Sequence, residues 1–386
     1  MRSTIELPIE IHEATRAQAQ GDYLRALRLL RGLADERYPV SYGILAYTLQ
    51  AVGRFAEAEQ AVRRSVLLQQ RTAQPISTWK EQAVQQAVGP IVTVAEAPAR
   101  LEQLVRAHRL VILGEEHHQS EHRAFGARVL PLLQRAGITH LALETGDQAR
   151  LDQAAQTRMV TPATDGFTAE PQRAALLRAA IALHLPIVAF DMDGADDAWM
   201  EKHPDESGEY RERRTAEHII ERILQQEPHA RVLIWVGYGH AYKYILPDGF
   251  KPMAAWLWEL SGEEPFSCYQ QTGGLPPPWV DLVIRHPEPT YHNGRPEWLR
   301  TPDRSAIQGT IAPPMSYLVQ LHLIQESPAG TPIDQYLTGE NGAFELLAPP
   351  GEYLLRWWSP DEQVIGERPL TLSTENIQVH LSGRLA

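Results

Sequence analysis

Acidic and histidine side chains stand directly after four short apolar runs in the middle of this chain. Arg109–Leu113 (RLVIL) leads into Gly114, Glu115, Glu116, His117 and His118, and Thr139–Leu143 (THLAL) into Glu144. Pro186–Phe190 (PIVAF) leads into Asp191 and Asp193, and Val232–Val236 (VLIWV) into Gly237, Tyr238, Gly239 and His240. Imidazole and carboxylate are the groups that move protons near neutral pH, and they ligate zinc, manganese, cobalt or iron. Two runs share one spacing, Gly114–His117 and Gly237–His240. The glycine lets the chain turn sharply off the run, and the histidine can then face back over its end. That shared position sets His117 and His240 apart. Glu116, His118 and His122 fit solvated loop positions equally well, Glu144 could instead cap a following helix, and Asp191 and Asp193 carry no repeated pattern.

For these residues to act together, the runs must lie side by side. Each is short, almost wholly apolar and rich in β-branched residues, which is the signature of a strand buried on both faces of a parallel sheet. Between them lie helical stretches at His122–Ala136, Ala169–His184 and Tyr210–Gln226. The alternation predicts an α/β domain over residues 76–270, a mostly parallel sheet with helices on both faces. In such a sheet all strands point one way, so the four sets of residues share one edge, where ligands bind. Trp235, Trp256, Trp258 and Tyr238 either line an apolar pocket there or pack the core.

The flanks differ in pattern. In residues 1–75, GDYLRAL (Gly21–Leu27) recurs as GRFAEAE (Gly53–Glu59), aligning Gly21 with Gly53, Tyr23 with Phe55 and Ala26 with Ala58. This resembles tetratricopeptide repeats, here as helical hairpins that offer a protein partner a groove or simply cap the next domain. Residues 271–304 are proline-rich and predict a linker. Residues 305–386 alternate apolar and polar positions, predicting a small all-β sandwich. Within it, an Asn-Gly turn and a Pro-Pro-Gly reversal in TGENGAFELLAPPGEYLLRWW resemble the transthyretin-like fold of carboxypeptidase regulatory-like domains.

Composition bounds the function. The chain has 386 residues, 43% hydrophobic and 22% charged, with net charge −12. That balance argues against nucleic acid as a partner, since phosphate neutralisation needs a basic surface. No apolar stretch is long enough for a membrane span, the N-terminal residues lack a signal-peptide pattern, and the single cysteine, Cys268, precludes an intrachain disulfide. The expected location is the cytoplasm.

Taken in order, GEEHH, ALE, the YRERRTAEHI helix and VGYGHAYK resemble the superfamily of erythromycin esterases, ChaN-like haem-binding proteins and TraB/Tiki-type proteins. The resemblance covers about residues 91–264 and leaves the branch open. The TraB/Tiki branch implies roles for His117, Glu144, Arg211 and His240. The esterase branch implies Glu115 and His118, and the ChaN branch Glu115, His117 and His122. Thr215-Ala216 stands where esterase relatives carry Met-Ala. Three functions follow as expectations. The first is a hydrolase of an ester or amide in a small molecule or peptide, using Glu115, His117, His118, Glu144, Arg211 and His240. Its water would be activated by a His–Glu pair or by a divalent metal (Mn, Co, Zn or Fe) on His117, His240 and Glu144, and the two symmetric Gly-x-x-His ends favour the metal form. Arg211 or Lys243 would stabilise the oxyanion. The second is a haem or iron protein using His117, His118 or His122. The third is a non-catalytic interaction protein.

Overall fold

The computed structural model describes residues 8–33, 39–72, 89–246, 249–273, 279–326 and 328–383. The described residues form two compact units, one within Gln74–Arg158 and Leu176–Glu288, the other within Met1–Ala73, Met159–Ala175 and Pro289–Ala386. The expected boundary at residues 75 and 76 lies outside the described residues.

The first unit is built on a seven-stranded sheet of β1 (Ile91–Thr93), β2 (Leu110–Glu115), β3 (His140–Leu143), β4 (Ile187–Ala189), β5 (Val232–Gly237), β6 (Phe266–Thr272) and β7 (Leu282–His286). Their order is β1-β7-β6-β2-β5-β3-β4, and every neighbouring pair is parallel. The α/β expectation holds, and the four runs read from the sequence are neighbours at β2, β5, β3 and β4. Each residue of β2 and β5 is buried, as strands covered on both faces require. Alternate side chains Leu110, Ile112, Val232, Ile234 and Val236 share one core cluster with Ala216, Ile219, Met253 and Leu257. That cluster anchors the helices Ser207–Ile219 and Met253–Ser261 against the sheet. Three strands were not read from the sequence. β6, FSCYQQT, is polar in composition yet mostly buried. β7 lies inside the stretch expected to be a linker, where the surrounding prolines mask a short apolar run. Residues 274–278 of that stretch lie outside the described residues.

In the second unit, Ile9–Ala19, Tyr23–Leu33, Pro39–Ala51 and Phe55–Thr72 form the helical hairpins. Gly21 and Gly53 both adopt positive φ, +80° and +74°, which explains their recurrence: each ends a helix in a conformation that L side chains rarely adopt. Tyr23 and Ala26, and Phe55 and Ala58, are buried as the alignment requires. These helices share their core with Leu318 and Leu337 of the C-terminal strands. Those strands form a three-stranded sheet and a four-stranded sheet around one cluster that includes Ile307, Val319, Leu346 and Leu355. Asn341-Gly342 turns the chain into strand Ala343–Ala348. Pro349-Pro350 then carries it across to the other sheet at Gly351–Trp358, so the reversal joins two layers instead of closing a hairpin.

Among the described residues no helix is long and apolar enough to cross a membrane.

Candidate active site

Register brings the strand ends level. Glu115 of β2 pairs with Gly237 of β5, Leu143 of β3 with Trp235, and Leu143 also with Ala189 of β4. The next residues along each strand therefore emerge at one edge, and their side chains meet.

Glu144 sits at the centre, almost fully buried. Its Oε2 accepts from the Gly237 N–H at 2.7 Å and lies 3.7 Å from His117 Nε2. Its Oε1 accepts from Arg211 at 2.9 Å and lies 3.4 Å from His240 Nε2. One carboxylate thus faces both histidines of the Gly-x-x-His ends. Burial works against the charged form of Glu144. The His240 hydrogen bond, the charges of His117 and His240 and the Gly237 N–H outweigh it and hold the pKa well below the usual carboxylate range.

The two histidines differ in surroundings. The His117 side chain is 40% exposed, and its Nδ1 lies 2.9 Å from Glu115 Oε1. Glu115 is locked in turn. Arg123, fully buried, donates to both of its oxygens at 3.1 Å and to the His117 carbonyl, and the Trp235 indole N–H donates to Oε2 at 2.7 Å. His240 is largely buried, with Nδ1 2.7 Å from Glu212, a carboxylate that also accepts from the Met253 N–H. Burial opposes the imidazolium of His240, but hydrogen bonds to Glu144 and Glu212 and their charges push its pKa up to about 10. At neutral pH His240 is a cation held between two carboxylates.

Arg211, on the helix Ser207–Ile219, spans Glu144 and Asp191, contacting Asp191 at 2.7 and 3.0 Å. Burial disfavours its charge, and the Asp191 hydrogen bond and the surrounding carboxylates more than restore it. Gly237 is required by close approach. A Cβ there would lie 2.7 Å from His117 Nε2 and 3.4 Å from Glu144 Oε2. We expect Gly237→Ala to push the His117 ring off Glu144 and to lower any turnover the site supports about a hundredfold, with the fold retained by circular dichroism.

The structure thus joins Glu115, His117, Glu144, Arg211 and His240 in one network, and it adds Asp191, Glu212, Arg123 and the indole of Trp235. His118 lies outside it. Its Nε2 is 3.9 Å from Glu116, and burial, then the charges of Arg123 and His117, push its pKa down to about 4. His122 is fully buried, with Nδ1 accepting from the Glu116 N–H and Nε2 3.2 Å from Thr272 Oγ1. Asp193 caps the helix Gly194–Lys202 and takes Arg222. Lys243, expected as an alternative oxyanion group, is buried and paired with Glu264 and Asp281. Cys268 is buried, and burial raises its thiol far above the usual range. Glu212 left a trace in the sequence, since it falls on the same helical face as Thr215, Ala216 and Ile219, all buried.

Three ligand atoms within 4.8 Å of one another, as a metal ion needs, occur among the described residues at Glu121, His122 and His286, and at Asp193, Asp196 and His218. These are a buried His/Glu cluster and an Asp/His cluster that could hold an ion. In the second, Arg222 already donates to Asp193 and lies 3.1 Å from His218. His117, Glu144 and His240 do not form such a group. Both Glu144 oxygens are engaged, and the Arg211 guanidinium would repel an incoming cation. As arranged, this trio does not fit a divalent ion.

No known protein-family model matches the chain, and no curated protein matches it in sequence. Several solved structures are distantly similar to it. The type III effector HopBA1 is 13% identical with a TM-score of 0.35, over 53% of this chain and 98% of its own. ChaN of Campylobacter jejuni, solved with cofacial haem binding, is 13% identical with a TM-score of 0.32, over 48% of this chain and 89% of its own. RRSP, a MARTX toxin effector domain from Vibrio vulnificus, is 17% identical with a TM-score of 0.35, over 64% of this chain and 53% of its own.

Proposed function

We propose that this protein hydrolyses an ester or amide bond of a small molecule or peptide, with water activated by His117 and Glu115. One observation carries this reading. A half-exposed imidazole has its Nδ1 2.9 Å from a carboxylate that is itself buried and immobilised by Arg123 and Trp235. That is an oriented general base: with its proton on Nδ1 the ring donates to Glu115, and the Nε2 lone pair, on the side of Glu144, is left to accept a proton from water. In this reading water attacks the carbonyl carbon and its proton passes to His117 Nε2. His117 Nε2 and Glu144 Oε2 at 3.7 Å are too far apart for a direct hydrogen bond, and a water shared by both suits that spacing. The cationic His240, its ring nitrogens facing Glu212 and Glu144, acts on the oxyanion through its charge and not through a hydrogen bond, and the leaving group departs with the proton returned by His117. Arg211 holds Glu144 in place.

The test is hydrolysis of a panel of nitrophenyl esters and peptide anilides by protein stripped with EDTA. We expect activity to survive stripping. A loss that added zinc, manganese, cobalt or iron reverses would return the site to metal chemistry. The pH profile carries a second signature. The folded pKa of His240 lies above its unfolded value near 6.5, so the imidazolium's contribution to stability is fully present below about pH 6.5 and is lost as pH rises through about 10, whereas its contribution to catalysis follows the folded pKa alone and persists until pH nears 10. Turnover should therefore fall near pH 10.

A further inference from the structure

Four carboxylates of this site have a cationic partner: Glu115 has Arg123, Glu144 and Asp191 have Arg211, and Glu212 has His240. Glu116 differs. Among the described residues it pairs with no arginine or lysine. The Tyr269 hydroxyl donates to its Oε1, and its Oε2 lies 3.9 Å from His118 Nε2, beyond hydrogen-bond reach. Successive side chains leave an extended chain on opposite sides, so Glu116 turns away from Arg123 and Trp235 and toward β6, where Tyr269 sits. Its side chain is 15% exposed. Around it stand three tyrosines: the Tyr238 ring is 5.5 Å from Tyr269 and 6.2 Å from Tyr242. Tyr238 directly follows Gly237, stands two residues before His240, and is 44% exposed.

A carboxyl that no arginine or lysine meets, beside an exposed aromatic ring, is completed by a positive group that meets the carboxylate with its charge and the ring with its edge or face. We propose that Glu116 and Tyr238, with Tyr242 and Tyr269 behind them, form a subsite beside His117 and His240 that takes a cationic group of the substrate, a primary ammonium or a guanidinium. This rests on the hydrolase reading for its place in a reaction, and it specifies the substrate class. Burial raises Glu116 to about 7 against the Tyr269 hydrogen bond, as a buried carboxyl lacking a cation should be raised. The net charge of −12 draws cations towards the protein.

The test is calorimetric titration of the full chain carrying His117→Ala, so that turnover cannot consume the probe. The probes are Nα-acetyl-lysine amide and Nα-acetyl-norleucine amide, which share a four-carbon side chain and differ in the terminal ammonium. The lysine compound should bind about tenfold tighter or better. Adding Glu116→Gln, a near-isosteric change, should erase that preference, and adding Tyr238→Ala should weaken it while Tyr238→Phe keeps it. Thermal melts of each variant confirm the fold. Equal binding of the two probes, binding of neither, or a lysine preference that survives Glu116→Gln overturns the subsite. Because binding is read without catalysis, a chain that binds lysine amide but cleaves nothing would sink the hydrolase reading alone, and an active hydrolase without the preference would sink the subsite alone.

Discussion

Glu115→Ala is expected to lower the unfolding free energy of the sheet-bearing unit by about 3–5 kcal/mol. The Arg123 guanidinium is fully buried, and Glu115 is the carboxylate it reaches with both Nε and Nη2. Removing that partner takes the bidentate carboxylate from a buried positive charge that keeps the His117 carbonyl, and it also strips the acceptor from the Trp235 indole. Breaking one side of a buried pair costs far more than the pair contributes relative to an apolar replacement, because the remaining charge stays desolvated. Glu115→Gln keeps the volume and an acceptor for the indole, so it should cost less than half as much. Urea denaturation followed by fluorescence measures both. If the alanine variant unfolds within about 1 kcal/mol of the wild type, Glu115 is not holding Arg123 as described.

His117→Ala should do the opposite. Its side chain is 40% exposed, so little buried area and no enclosed charge are lost, and stability should change by less than about 1 kcal/mol. Turnover on any ester or amide the protein cleaves should fall by about 10²–10⁴, the contribution of a positioned general base. The pair of results separates roles: Glu115 acts in both fold and catalysis, His117 in catalysis alone. An unfolded His117→Ala protein, or one with unchanged turnover, contradicts this division.

Much of the site is legible in the amino-acid sequence alone. Buried parallel strands announce themselves through unbroken apolar runs, and each such run ends where its first polar residues emerge. That reasoning brings Glu115, His117, Glu144, Asp191 and His240 to one edge. The repeated Gly-x-x-His reflects real geometry at Gly237, where any side chain would strike His117. The doubled histidine is harder. His117 and His118 have equal claims in the sequence, and only the direction of the chain off β2 puts His117 against Glu115 and leaves His118 beside Glu116. Lys243 misleads for a related reason: a lysine three residues past His240 is close in sequence, yet its ammonium is turned to Glu264 and Asp281.

A parallel α/β sheet, preceded by helical hairpins and followed by a β module, can be read from the order of residues alone, as can the strand ends able to carry chemistry. Both follow from local period and hydrophobicity, which adjacent residues encode directly. Tertiary structure decided the partners. Arg123 meets Glu115, Glu212 meets His240, and Asp191 meets Arg211 because helices pack against the sheet at particular rotations, and rotation depends on side chains distant in the chain. The same packing decided that Glu144 faces both histidines with its oxygens already engaged by Gly237 and Arg211. Strand ends are written locally; the charge balance that assigns each residue its work exists only once the sheet and its helices have closed together.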